Sequence, residues 1–357
     1  MAQYDTYDNW TPGKPPRFTC LRADRVDFLP QTCYFSYNRN TAITAPMHIP
    51  DGFLDTKTIV ATSALAVVGV AVAWRRVRSE VPPQRVPLLG VAAAFVFAAQ
   101  MLNFPVAGGT SGHLIGATLV AILLGPGAAT IVIAAVLLVQ CFLFADGGIL
   151  ALGANVFNMA LLGVISGYAL YRLLRRMLPG EWGNVTAVAI ASWASVVVSS
   201  VSCAGELAWS GTVQWYMAFP AMAGIHALIG IGEAAITCVV LGAIKVARPD
   251  LLKPTTAAGE PRTAWDIVVY GIVAAIGLVL FVSPFASEWP DGLEMVASKL
   301  GFSQKALQTL SVPQPLADYS FPGLGAAAVS KIAAGTLGVA AVLLLVVVLA
   351  RMLKSRS

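Results

Sequence analysis

Residues 128–144 read AATIVIAAVLLVQCFLF, seventeen positions without a charge. The turn Gly125-Pro126-Gly127 precedes them and Ala145-Asp146-Gly147-Gly148 follows. A run this long and apolar spans a bilayer as a helix, because lipid offers its backbone no partners and each N–H must be satisfied within the segment. Eight further apolar runs extend outward from it. Residues 54–74, 86–104 and 113–124 come before, and 153–174, 185–207 and 219–246 come after. A polar linker, 247–262, interrupts the pattern, and 264–284 and 325–350 complete it. The short alternating strands of a membrane β-barrel are absent. The chain is 57% hydrophobic and 11% charged, against about 25% charged in a soluble domain. It reads as an all-α integral membrane protein, a seven-helix bundle plus two C-terminal transmembrane helices.

The net charge of +5 reads as topology rather than nucleic-acid binding, since the basic residues cluster in short loops between apolar runs. Arg75, Arg76, Arg78 and Arg85 follow the first run, and Arg172, Arg175 and Arg176 the fifth. Lys245, Arg248, Lys253 and Arg262 follow the seventh, and Arg351, Lys354 and Arg356 end the chain. These fourteen of the 23 basic residues fall on one side in a nine-helix count. The positive-inside rule makes that side cytoplasmic. The expected placement is a multi-pass protein of the cell inner or plasma membrane, with the N-terminus outside, the C-terminus inside, and loops 103–113, 145–152, 208–218 and 285–324 outside.

Residues 1–46 are polar, contain Pro12, Pro15, Pro16, Pro30 and Pro46, and have no apolar core long enough for a signal peptide. They read as a disordered tail or as a spurious extension before a true start at Met47. Carrying Lys14, Arg17, Arg22, Arg25 and Arg39 to the outside would be hard, which favours the second reading. Cys141, Cys203 and Cys238 lie in or near apolar runs without CxxC spacing and read as small buried hydrophobes.

Three histidines carry the candidate chemistry. His48 and His113 fall at the outer membrane boundary, and His226 in the outer third of the seventh run. Imidazole is the commonest metal ligand, and polar groups in membrane segments are costly enough to suggest function. If Met47 is the first residue, its α-amine, the His48 amide nitrogen and the His48 imidazole can chelate one metal ion through fused rings. A second imidazole completes four nitrogens. A square-planar nitrogen set favours Ni(II) or Cu(II), and Co(II) is also compatible. The stretch 100–114, QMLNFPVAGGTSGHL, is rich in glycine and polar groups at membrane depth, where irregular backbone survives only if buried in protein or lining a cavity. Within it Asn103 and Ser111 are candidates to support an ion site. Gly112 and Gly116, like Gly163 and Gly167, have the GxxxG spacing of close helix packing. His226 and Glu233, seven apart, share a helix face, so Glu233 could orient a polar network or pair with a basic group. Asp146, with Asn155 and Asn158, could brace the outer loops or hold a ligating histidine.

No GxxxxGK[ST] phosphate loop, HExxH or GxSxG occurs. Two rival readings remain: a metal-independent channel or structural membrane protein, and a membrane-embedded enzyme using His226 and Glu233 as a proton relay.

The motifs MHIPDGF at 47–53, QMLNFPVAGGTSGHL at 100–114, LLGPGA at 123–128, LFADGGILALGANVFNM at 143–159 and HALIGIGEA at 226–234 resemble the CbiM/NikM family. These are the substrate-binding membrane components of energy-coupling-factor transporters for cobalt and nickel. The resemblance implies that the protein is not an enzyme and that Ni(II) or Co(II) is its transported substrate rather than a permanent cofactor. It implies that Met47, His48 and His113 hold the ion, with His226 as near-site support. It also implies partners on separate chains, a transmembrane T component and two ATP-binding-cassette ATPases, in the lipid bilayer and without nucleic acid. Family members begin at the methionine matching Met47. Residues 263–357 resemble the small N component of the same transporters, through Trp289-Pro290-Asp291-Gly292-Leu293-Glu294, and tilt the substrate toward nickel. The expected organisation is 1–46 as extension or tail, 47–246 as the metal-binding membrane domain, 247–262 as a cytoplasmic linker, and 263–357 as the fused module, which would gate or load the site.

Overall fold

The computed structural model describes residues 48–80, 86–252, 264–306, 314–324 and 326–354. All described residues belong to one compact unit, within Ala45–Ser357. Met47 and the 1–46 segment lie outside the described residues, as do Arg85, Lys253, Arg262 and Arg356.

Each apolar run yields helix. They are α1 (Thr56–Glu80), α2 (Val86–Gln100), α3 (Ala117–Leu124), α4 (Pro126–Phe144), α5 (Leu152–Met177), α6 (Gly180–Trp209) and α7 (Trp215–Ala247). In the C-terminal part, α8 (Ala264–Gly277) continues as a π turn and a short 3-10 turn to Phe285. A short α9 (Gly292–Leu300) and a long α10 (Ala327–Lys354) follow. Among the described residues seven helices are long and apolar enough to cross a membrane; α2 is shorter.

The third run departs from expectation. Only its last eight residues are helical, about 12 Å at 1.5 Å per residue, well short of a bilayer. Residues 113–116 are non-helical, and Gly116 takes a φ of +73° just before α3 begins. Before them β1 (Phe104–Val106) and β2 (Thr110–Gly112) form an antiparallel hairpin, with Phe104 opposite Gly112, Pro105 opposite Ser111 and Val106 opposite Thr110. Gly112 and Gly116 therefore do not form a helix-packing motif. Gly163 and Gly167 do: a methyl group on them would meet Ser199 and Thr118 of neighbouring helices.

Helix ends show how the bundle is strung. The last turns of α1 meet the start of α4, where Gly127 lies against Ala73 and Arg76. Lys245 at the end of α7 pairs with Glu181 at the start of α6. At the other pole Ser210, just past α6, donates to Thr58 in α1 at 2.9 Å, and Thr212 donates to the Phe53 carbonyl. The basic ends of α1, α5 and α7 thus share the pole away from His48.

The main apolar core joins α2, α3, α4 and α5 to Ala275, Val279, Val339, Val342 and Val346 of the C-terminal helices. Those helices pack on α2 through glycines, with Gly271 against Val91 and Gly338 against Phe97. A second core joins Ile49, Phe53, Leu207 and Met222 to Leu293, Val296 and Phe302. The C-terminal part is therefore packed into the bundle at both its flank and its site pole.

Candidate metal centre

The segment that carries His48 has no regular structure of its own, yet it is buried. Side-chain-to-backbone hydrogen bonds fix it to 146–155. Asp51 is 4% exposed, and its carboxylate accepts from the N–H groups of Ile149, Leu150 and Ala151 at 3.1, 2.9 and 3.1 Å. These are orphan donors at the entry to α5, where the helix dipole also favours an anion. Asn155 takes the Ile49 N–H at 3.0 Å and returns a bond to the Ile49 carbonyl at 3.1 Å. Gly148 donates to the same carbonyl at 2.9 Å, and a side chain on Gly148 would run into Asp51. Two sequence-distant motifs, at 47–53 and 143–159, are one interlocked unit.

That unit presents His48. Its Nδ1 lies 2.9 Å from Asp146 Oδ1, and its buried Nε2 has no hydrogen-bond partner among the described residues. Burial alone would push the His48 pKa down, but the charge of Asp146 and its hydrogen bond, helped by the charge of Asp291, raise it above the usual value. Asp146 answers in the same sense: burial opposes ionisation, while His48 and a bond from Tyr319 hold its pKa low. Each group thus favours the charged form of the other.

His113 approaches from the broken third run, its ring centroid 5.4 Å from that of His48. Its Nδ1 faces the Leu114 carbonyl at 3.2 Å, leaving Nε2, which lies 3.9 Å from Asp291 Oδ2, too far for a hydrogen bond. Glu233 sets this segment. Its carboxylate accepts from the N–H of Ile115 at 2.6 Å and of Gly116 at 2.9 Å. A buried carboxylate closes the start of α3, satisfying donors that would otherwise be orphaned in the membrane. Glu233 therefore pairs with backbone rather than with a basic group.

Both rings line a cavity of about 70 Å³, together with His226, Asp291, Asn155 and Asn158. Asn155 and Asn158 flank and enter the π turn of α5, Val156–Gly163, an irregularity found often at functional sites. His226 donates from Nδ1 to the Met222 carbonyl, 2.8 Å away, and its ring lies against Gly292, where a methyl group would stand 3.0 Å from Nε2. Asp291 and Gly292 belong to the C-terminal part, which covers the cavity. The hairpin receives it: Ser111 N–H and the Thr110 hydroxyl donate to the Pro290 carbonyl at 2.8 and 2.9 Å, and the Ser111 hydroxyl to the Trp289 carbonyl at 2.6 Å. The Asn103 carbonyl accepts from Ser287 at 2.8 Å. Ser111 and Asn103 thus engage the cover rather than the histidines.

The structure brings together His48, His113, Asp146 and His226 from the sequence-derived candidates, while Met47 lies outside the described residues. Sequence reasoning did not single out Asp51, Asp291, Tyr319 or Glu206. Asp51 and Asp291 stood inside recognised motifs. Glu206, buried near the end of α6, accepts from Asn158 at 2.8 Å, and its charge within an apolar run was the available signal. Among the described residues no three His, Cys, Asp or Glu side chains converge as a metal cluster. Cys141 and Cys203 are buried and Cys238 partly so, all three free.

The CbiM model, a cobalt uptake substrate-specific transmembrane region, matches residues 48–251, more than half of the chain. The chain belongs to the CbiM family. A PDGLE domain matches residues 265–355. A putative fused nickel transport protein of Archaeoglobus fulgidus is 36% identical over 301 residues, covering 84% of this chain and 96% of the relative. A cobalt transport protein of Pelobacter propionicus is 35% identical over 207 residues, covering 56% of this chain and 90% of the relative. The crystal structure of a truncated transition metal transporter superposes with a TM-score of 0.51 at 36% identity, covering 55% of this chain and 97% of that one. CbiM relatives are metal transporters and not enzymes. With its long apolar helices, the chain is a multi-pass membrane protein.

Proposed function

We propose that this CbiM-family chain is the substrate-binding membrane component of an energy-coupling-factor transporter, and that it captures Ni(II) or Co(II) at an extracytoplasmic four-nitrogen site. The observation that carries this reading is the buried His48 ring, held by Asp146, with the His113 ring centroid 5.4 Å away and both rings lining one cavity. A ligating histidine ordinarily donates its other ring N–H to a carboxylate, the part Asp146 can play. The working chain begins at Met47. The Met47 amine, the His48 amide and imidazole, and His113 are the ligands, and His226 supports them. A fused chelate through the His48 amide uses the ring nitrogen nearer the backbone, Nδ1, the atom bonded to Asp146 in the structure. Loading turns the ring over, so that Nδ1 takes the ion and Nε2 donates to Asp146.

The site faces outward and the basic pole is cytoplasmic. Release inward requires a transmembrane T component and two ATPases on other chains. The PDGLE module gates or loads the site. Nickel is favoured over cobalt because the relative that matches both modules is a nickel protein by name, while the cobalt relative covers 56% of this chain. Uptake of radioactive nickel by cells carrying the complete transporter tests the reading. His48→Ala and His113→Ala should each abolish uptake while leaving the protein in the membrane. Undiminished uptake in both would overturn the reading of these histidines as the metal site.

A further inference from the structure

A chain of hydrogen bonds links the C-terminal part to His48 without passing through the cavity. Tyr319 lies in a short turn, Ala317–Tyr319, in which Asp318 and Tyr319 take φ values of +55° and +53°, uncommon for non-glycine residues. Its ring stacks on Phe144 at 4.8 Å and tilts toward Phe97 at 6.2 Å. Leu316 donates to the Leu143 carbonyl at 2.9 Å, and the Gln314 side chain to the Cys141 carbonyl at 2.9 Å. These contacts seat the turn on the end of α4. The Gln140 amide donates to the Tyr319 hydroxyl at 3.1 Å. An amide nitrogen can only donate, so the phenolic proton is left for Asp146 Oδ2, 2.6 Å away. Asp146 Oδ1 meets His48 Nδ1. Each carboxylate oxygen of Asp146 therefore has one fixed partner, and the plane of the carboxylate is set from both sides.

We propose that Tyr319 is a positioning residue of the metal centre, through which the PDGLE module orients the His48 ring by way of Asp146. This rests on the reading of His48 as an ion ligand. Gln140 and Tyr319 do not line the cavity, so they act on the ion only through Asp146. The module then has two separate effects on the centre. Its Asp291–Gly292 loop covers the histidines, and its Tyr319 turn fixes the geometry of one of them. Losing the phenol frees one carboxylate oxygen, lets Asp146 rotate, and loosens the ring.

The test is a thermodynamic cycle on the full chain in lipid nanodiscs, titrated with Ni(II). Tyr319→Phe keeps the ring on Phe144 and removes only the hydroxyl. Asp146→Ala alone should weaken binding by roughly 10- to 100-fold, the usual effect of losing a ligand's outer partner. Tyr319→Phe should weaken it by about 10-fold and shift the absorption bands of bound Ni(II), while the unfolding midpoint of the metal-free protein falls only by what one lost hydrogen bond costs. The double variant should bind as Asp146→Ala does, because the hydroxyl has nothing left to act through. An unchanged dissociation constant in Tyr319→Phe, or losses that multiply in the double variant, would overturn the proposal while leaving the metal site standing. Absence of both Ni(II) and Co(II) binding in the unsubstituted protein would overturn the two readings together.

Discussion

The two walls of the His48–His113 cavity are built differently. The inner wall, from residues 48–53, 113–116 and 146–155, is held by buried side chains gripping backbone. Asp51 takes three N–H groups, Glu233 two, and Asn155 bonds Ile49 both ways. The outer wall, from residues 287–293, is held mainly through its own carbonyls, which receive bonds from the hairpin. Removing one carboxylate from the inner wall strips several buried donors at once, each worth about 1–3 kcal/mol when left unsatisfied. Removing one hydroxyl that holds the outer wall costs a single hydrogen bond, about 0.5–1.5 kcal/mol net. The walls should therefore answer mutation unequally: the inner through affinity and folding, the outer through access.

Asp51→Ala should have the largest effect. Three donors at the entry to α5 lose their acceptor, and the His48 segment comes loose. Ni(II) affinity should fall by 100-fold or more, about 3 kcal/mol, with a lower unfolding midpoint in the same sample. An Asp51→Ala protein that binds as tightly as the original would show that the inner wall does not hold the His48 segment. Glu233→Gln is next. A glutamine presents one acceptor where the carboxylate presents two, so one N–H at the start of α3 is orphaned. Affinity should drop by about 10-fold, measured by the same titration, with little change at His48 itself. Gly292→Ala presses a methyl group on the His226 ring, 2.9 Å from its Cε1. The loop must shift outward, so ion entry and exit in stopped-flow experiments should both quicken several-fold while the equilibrium constant moves less than twofold. Ser111→Ala should be smallest, with a dissociation rate raised by about 2- to 5-fold. An outer-wall change that exceeds the inner-wall ones would reverse the comparison.

The same asymmetry describes what the sequence makes legible. Apolar runs alone give the helices, since lipid leaves a spanning segment no other way to satisfy its backbone. The pairing of His48 with His113 follows from their placement at one membrane face. The break in the third run is hidden, because Ile115, the residues of α3 and the turn to α4 form one apolar stretch. Glu233 and Gly116 together mark the break, yet their connection spans 117 residues and needs the fold to be seen. Tyr319 is harder still. Nothing local distinguishes it in the 285–324 loop, and its partners Gln140 and Asp146 are 179 and 173 residues away. The Gly112–Gly116 pair shows the opposite failure, a familiar spacing on backbone that is not helical.

Met47, His48 and His113 are proposed to make a four-nitrogen site. X-ray absorption of the Ni(II)-loaded protein tests it most directly, read alongside the intact mass of the same sample. The expected spectrum is four-coordinate and square-planar with nitrogen donors, two of them imidazole, from a chain whose first residue is Met47. A six-coordinate, oxygen-rich spectrum, or a square-planar one from a chain still carrying residues 1–46, would contradict it.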